Sequence, residues 1–178
     1  MRLFIALNFD GLQEYFQELQ KQIEHEEVRF TFPQSFHLTL KFLGDLNDKD
    51  VAQVRELLKG VSFTPYQTVT KEIGVFPSEQ YLRTIWVSIE DTETAALQKR
   101  IEEALRGIGK KTKGFKAHIT IARVKHIHPD KKKSFVEQLK RIKTKKIAVG
   151  VNKFYLIKSV LTPEGSAYEV IEEYPVPL

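Results

Sequence analysis

Apolar side chains recur along this chain with two periods, and each period marks a different kind of element. Residues 3–9 are almost continuously apolar and read as a strand. Asp10-Gly11 then leads into a stretch whose apolar positions, Leu12, Tyr15, Phe16, Leu19 and Ile23, fall on one helical face. Residues 28–32 predict a short strand broken by Pro33, and 36–43 a stronger one ended by Gly44-Asp45. A second helix, capped near Asn47 or Asp48, turns Val51, Val54, Leu57 and Leu58 inward. Strands at 66–76 and 83–89 follow, with Pro77-Ser78-Glu79-Gln80 as the hairpin loop between them.

The second half repeats that outline. Residues 94–108 predict a helix burying Leu97, Ile101, Leu105 and Ile108, after which a Gly/Lys-rich loop enters a strand at 117–124. A short helix with Pro129 in its first turn buries Phe135, Leu139 and Ile142, and two long strands, 146–161 and 166–176, close the chain. No linker rich in Gly, Ser or Pro separates the halves. The pattern predicts an α+β fold: a single bilobal domain over residues 1–178, its two pseudo-symmetric lobes each an antiparallel sheet covered by helices on one face.

Composition narrows the chemistry. The 178 residues contain no cysteine, which removes thiol catalysis, disulfides and thiolate metal sites and suits a reducing compartment. The start of the chain turns polar too early for a signal peptide, and no run approaches the roughly 20 apolar residues of a membrane-spanning helix. A cytoplasmic chain with no membrane contact is the expectation. The net charge of +5 is unevenly placed. Residues 106–158 hold seventeen Lys and Arg against Asp130 and Glu137, a local +15 that leaves −10 for the remainder. Such a segment either faces a polyanion, nucleic acid first among them, or is a solvated Lys-rich surface.

Two of the five histidines share a context, His37-Leu38-Thr39-Leu40 and His118-Ile119-Thr120-Ile121. Side chains two apart on a strand point the same way, so each strand offers an imidazole and a hydroxyl on one face and aliphatic residues on the other. A single copy reads as a polar residue on a half-exposed strand. Two copies, at the matching strand of matching halves, point to paired chemistry. An imidazole of ordinary pKa ~6.5 gives or takes a proton near neutrality, so one histidine serves as general base and the other as general acid. In-line cleavage of a phosphodiester needs both, together with neutral donors for the non-bridging oxygens, which Thr39 and Thr120 supply. Neither a metal nor a cofactor is called for.

These motifs resemble those of the two-histidine phosphoesterase superfamily. The text around them is similar to the bacterial and archaeal RNA 2′,3′-cyclic phosphodiesterases, historically called 2′-5′ RNA ligases. The matching segments are Arg2-Leu3-Phe4-Ile5-Ala6, Phe36-His37-Leu38-Thr39-Leu40-Lys41-Phe42-Leu43-Gly44, Phe115-Lys116-Ala117-His118-Ile119-Thr120-Ile121-Ala122-Arg123 and Leu161-Thr162-Pro163-Glu164-Gly165-Ser166-Ala167-Tyr168. Phe36 and Ala117 stand where the family often has Pro or another small residue. The resemblance implies two pseudo-symmetric lobes around one active-site cleft, and metal-independent hydrolysis of RNA 2′,3′-cyclic phosphate ends to 2′-phosphomonoesters. Reversible 2′-5′ ligation is the implied side activity. It further implies His37 as proton donor, His118 as proton acceptor, Thr39 and Thr120 as phosphate-binding hydroxyls, and Arg123 as a basic group near the phosphate. Strict alternation puts Arg123 on the Ile119/Ile121 face, so either a bulge re-aims it or its guanidinium sits elsewhere.

The Lys110-Lys111-Thr112-Lys113 loop before the second motif makes Lys110, Lys111 and Lys113 candidates for RNA-backbone contacts. The His126-Ile127-His128 spacing reads as a solvated loop and not a metal site, His25 as a surface residue, and the aromatics Phe9, Tyr66, Phe76, Trp86 and Tyr168 mainly as core. The expected partner is RNA with 2′,3′-cyclic phosphate or 2′-phosphate ends. No protein partner is implied, and a monomer is expected. Two alternatives stay open: the same chemistry on a small nucleotide or nucleotide-sugar cyclic phosphate, and a non-catalytic RNA-binding module.

Overall fold

Elements follow one another as β1 (Arg2–Asn8), a 3-10 turn (Asp10–Leu12), α1 (Gln13–Ile23), β2 (Val28–Thr31), β3 (His37–Asp45), α2 (Asp48–Lys59), β4 (Tyr66–Phe76), β5 (Thr84–Ile89), α3 (Thr92–Ala104), β6 (His118–Ile127), α4 (Pro129–Arg141), β7 (Ala148–Val151), β8 (Lys153–Thr162) and β9 (Gly165–Pro175). This is a computed structural model, and it describes residues 1–90, 92–162 and 165–176. Pro163 and Glu164, within the last matching segment, lie outside the described residues. Among the described residues no helix is long and apolar enough to cross a membrane.

Local chemistry accounts for the helix boundaries. The Asn47 side chain accepts a hydrogen bond from the Asp50 amide at 2.9 Å and caps α2. Pro129 opens α4, where the missing N–H costs nothing, and Lys140 and Arg141 sit at its carbonyl end. Helix α3 stops at Ala104, short of the predicted 108, because the chain turns through Gly107 and Gly109, both at positive φ. Leu105 and Ile108 still reach the core from that turn.

The strands form two antiparallel sheets, a four-stranded one in the order β3-β1-β8-β9 and a five-stranded one in the order β2-β6-β5-β4-β7. Each sheet holds one histidine motif, but the sheets do not coincide with the halves of the chain. Strand β2 crosses to pair with β6, and the carboxyl-terminal β8 and β9 return to β1. The predicted strand at 146–161 is therefore two. Asn152 separates β7, which pairs with β4, from β8, which pairs with β1, so the chain changes sheets at that residue. Helix α1 packs on β6 and α3 on β3, and the two sheets meet where β3 contacts β6. One core of aliphatic and aromatic side chains lies under these helices. A smaller cluster of Phe4, Ala6 and Ile157, with Tyr155 and Tyr168 against it, occupies the other face of the four-stranded sheet.

Candidate active site

Both motif strands are built alike. Leu38 and Leu40 in β3, and Ile119 and Ile121 in β6, are buried on the helix side, whereas His37, Thr39, His118 and Thr120 are half-buried on the opposite face. Alternation then slips by one residue in each strand. In β3 the register passes from Thr39 opposite Ala6 to Lys41 opposite Ile5, and in β6 from Thr120 opposite Trp86 to Ala122 opposite Ile85. A bulge at Leu40-Lys41 and another at Ile121-Ala122 thus put two consecutive residues on the buried side. The fifth residue after each histidine is returned to the histidine face. In the second strand that residue is Arg123, which resolves the question left by strict alternation. In the first it is Phe42, 61% exposed and opposite Phe4.

Helix α1 braces the second bulge. The Gln20 amide donates to the carbonyls of Ile121 and Pro33, each at 3.0 Å, so the carbonyl displaced by the bulge keeps a partner. On the first strand, the Asp10 carboxylate accepts from the Phe36 amide at 2.7 Å, fixing the entry into His37.

Aromatic rings flank each imidazole. Phe4 and Tyr168 stand 4.9 and 4.8 Å from His37, centroid to centroid, while Phe76 and Trp86 stand 4.9 and 5.9 Å from His118. Sequence reading assigned Phe76, Trp86 and Tyr168 mainly to the core; Trp86 is buried as expected, whereas Phe76 and Tyr168 are half-buried. Their packing against the imidazoles has no sequence signature, because strand aromatics face either side of a sheet. The Trp86 indole lies over Gly74, where any Cβ would overlap it, and the Lys116 ammonium sits 4.5 Å above its ring. A cavity of about 580 Å³ opens there, lined in part by Gly74, Trp86, Ser88 and Lys116.

Electrostatics tie the two strands into one site. Burial lowers the His37 pKa to about 4, the positive charges of Arg123 and His118 push the same way, and Asp10 opposes them. His37 thus feels both the second histidine and the second strand's arginine. Burial also lowers the His118 pKa, and the hydrogen bond to the Lys116 carbonyl works against it. That bond, 2.6 Å from Nδ1, places the ring proton on Nδ1 and leaves the Nε2 lone pair free. Among the described residues neither Thr39 nor Thr120 spends its hydroxyl on a protein hydrogen bond, and Arg123 has no carboxylate partner. The group can therefore hold an anion between two neutral imidazoles, two free hydroxyls and a guanidinium.

Lys110, Lys111 and Lys113 are exposed on the loop ahead of His118 and have no acidic partner among the described residues. Five other lysines of the basic segment are neutralised in space. Lys131 pairs with Glu27, Lys140 with Glu79 and Glu137, Lys145 with Glu18, Lys153 with Glu173 and Lys158 with Glu169. His126 lies on β6 and not in a loop, exposed, and His128 stands 3.3 Å from Asp130. His25 is half-buried against Phe135 and not fully at the surface. Among the described residues no cluster of His, Asp and Glu has the spacing to hold a metal ion.

Comparison with known proteins places these features in context. The family model described as LigT like phosphoesterase matches twice, at residues 8–86 and 87–168. An RNA 2′,3′-cyclic phosphodiesterase of Methanocaldococcus jannaschii is 33% identical over 177 residues, 98% of this chain and 100% of that protein. One of Aquifex aeolicus is 30% identical over 173 residues, 92% of this chain and 90% of that protein. Among solved structures, a protein of Thermus thermophilus superposes with a TM-score of 0.78 at 25% identity, over 99% of this chain and 98% of that one. Escherichia coli LigT complexed with 3′-AMP gives 0.77 at 17% identity, with the same coverage, and shares the fold.

Proposed function

The chain belongs to the LigT-like phosphoesterase family, and from that premise we propose that it hydrolyses 2′,3′-cyclic phosphate ends of RNA to 2′-phosphomonoesters. The observation that carries this reading is the pair of half-buried imidazoles from two sheets, one under the electrostatic influence of the other and of Arg123. His118 Nε2 takes a proton from water as the oxygen attacks phosphorus. The bond from phosphorus to the 3′ oxygen breaks, and His37 protonates that oxygen as it leaves. Thr39, Thr120 and Arg123 hold the non-bridging oxygens, where charge accumulates in the transition state. With the 5′-hydroxyl of a second RNA in place of water, the same groups join the chains through a 2′-5′ phosphodiester as the 3′ oxygen leaves, which is 2′-5′ ligation, and the reverse step returns the cyclic phosphate and the free hydroxyl.

His37 must carry a proton to act as acid, yet its free-state pKa of about 4 leaves it neutral at pH 7. A phosphate bound beside Arg123 offsets the repulsion and draws the proton back, so substrate completes the acid. Phe42, exposed on the same face, offers a flat apolar surface suited to a nucleobase. Lys110, Lys111 and Lys113 extend the basic surface beyond one nucleotide, which favours an RNA chain over a small cyclic nucleotide. Both motifs come from one chain, so a monomer suffices, and a cysteine-free protein suits the cytoplasm.

The test is turnover of an oligonucleotide ending in a 2′,3′-cyclic phosphate, in excess chelator, with a mononucleotide cyclic phosphate as competitor. Expected is opening to the 2′-phosphate with preference for the oligonucleotide, and a loss of at least about a hundredfold in His37→Ala and in His118→Ala. RNA binding without turnover would make the protein a binding module. Preference for the mononucleotide would move the same chemistry to a small substrate.

A further inference from the structure

The most deeply buried charged side chain in the described structure takes no part in that chemistry. Lys41, 2% exposed, stands at the bulge of β3, and its ammonium reaches the Glu102 carboxylate on α3 at 2.7 Å and the Lys110 carbonyl at 3.1 Å. The matching bulge of β6 has Ala122 at this position, so the fold does not need a cation there. Nor does net stability explain the pair: taking an ammonium out of water is costly, and a buried ion pair is often no more stabilising than two apolar side chains put in place of both partners.

What the ammonium holds is the loop at 105–117. Gly109, at φ +70°, sits so close to β3 that a Cβ would lie 2.8 Å from the Leu43 Cα and from the Phe42 carbonyl oxygen. The next residue gives its carbonyl to Lys41. The loop is thus pinned to the first motif strand at two adjacent points. It then presents Lys110, Lys111 and Lys113 to solvent and ends with the Lys116 carbonyl on His118.

We propose that Lys41 is a positioning residue, whose buried ammonium fixes this loop on β3 so that its lysines meet the phosphates of an RNA chain leaving the cleft. The ligand it serves is the backbone upstream of the reacting end, and in this respect the proposal rests on the RNA reading above. Lys41 touches no reacting atom. Its removal therefore acts on binding of a chain and not on the chemical step.

Lys41→Met keeps the length of the side chain and removes the charge. Expected are a lowered Tm, because the Glu102 carboxylate and the Lys110 carbonyl lose their donor, and, well below that Tm, at least tenfold faster trypsin cleavage after Lys110, Lys111 or Lys113 in the folded protein. Expected too is a KM for the oligonucleotide raised about tenfold, with kcat and the constants for a mononucleotide cyclic phosphate within twofold. Lys41→Gln, which keeps a donor for the Lys110 carbonyl, falls between. If Lys41→Met does not fold, Gly109→Ala pushes the loop off β3 at the second pinning point and carries the same expectation for cleavage and for KM. A folded variant with unchanged cleavage and unchanged oligonucleotide KM overturns the proposal, as does an equal loss on both substrates. If cleavage accelerates while the wild type opens no cyclic phosphate, the loop assignment stands and the RNA reading falls.

Discussion

At the scale of single residues, the two strands repeat one design and fill one position differently. Five residues after each histidine the bulge returns a side chain to the active face, and this is Phe42 in one strand and Arg123 in the other. One end of the site is thus aromatic and the other cationic. Arg123 also lowers the His37 pKa, which gives the pH profile a definite direction. Both imidazoles are depressed in the free protein, so kcat/KM should peak on the acid side of 6.5, whereas kcat, which reports the substrate-bound form, should peak higher. Arg123→Met should shift the kcat/KM profile toward neutrality, and coincident profiles in wild type and variant would remove this role from Arg123. The limbs belong to the coupled pair and not to either histidine. The His-x-Thr repeats were legible because their spacing follows strand alternation. The aromatic neighbours Phe4, Phe76, Trp86 and Tyr168 were not, because which strands flank a motif is a matter of topology.

At the scale of elements, the bulge is the feature that returns Arg123 to the histidine face of β6, and it leans on a helix distant in sequence. Gln20 on α1 satisfies the Ile121 carbonyl. Replacing it by Leu withdraws this donor from the Ile121 and Pro33 carbonyls, and a buried carbonyl left unpaired costs ~1–3 kcal/mol. For a chain of this size each kcal/mol corresponds to about 2–4 °C in Tm. Thermal unfolding of Gln20→Leu should show that loss. Activity measured well below the transition should fall as well, because the bulge aims Arg123. An unchanged Tm would mean that the carbonyl finds another partner. The periodicity of α1 identified its buried stripe but gave no reason to single out a glutamine within it. The split of 146–161 at Asn152 was equally illegible, since both pieces carry strand-like residues and only their partners differ.

At the scale of the whole molecule, charge that is segregated along the chain becomes partly paired in space. Five lysines of the basic segment meet acids from outside it, whereas Lys110, Lys111 and Lys113, on the loop ahead of His118, meet none among the described residues. If Lys110, Lys111 and Lys113 contact phosphates, replacing all three by Ala should lower the slope of log affinity for single-stranded RNA against log salt by about 2, from about 0.7 per contact. The weakening should be similar for RNAs of different sequence. An unchanged slope would leave these lysines as plain surface. The α+β class, the two histidine strands with imidazole and hydroxyl on one face, a helix cap at Asn47 or Asp48 and Pro129 in the first turn of a helix were legible in the sequence alone, because hydrophobic period and side-chain identity act locally. Which sheet each strand joins, the bulges that aim Arg123 and Phe42, the depressed pKa of His37 and the clasp of Lys41 were decided only in three dimensions. Each depends on burial and on partners distant in sequence, as far apart as Leu3 and Lys158, and strand periodicity carries no record of those partners.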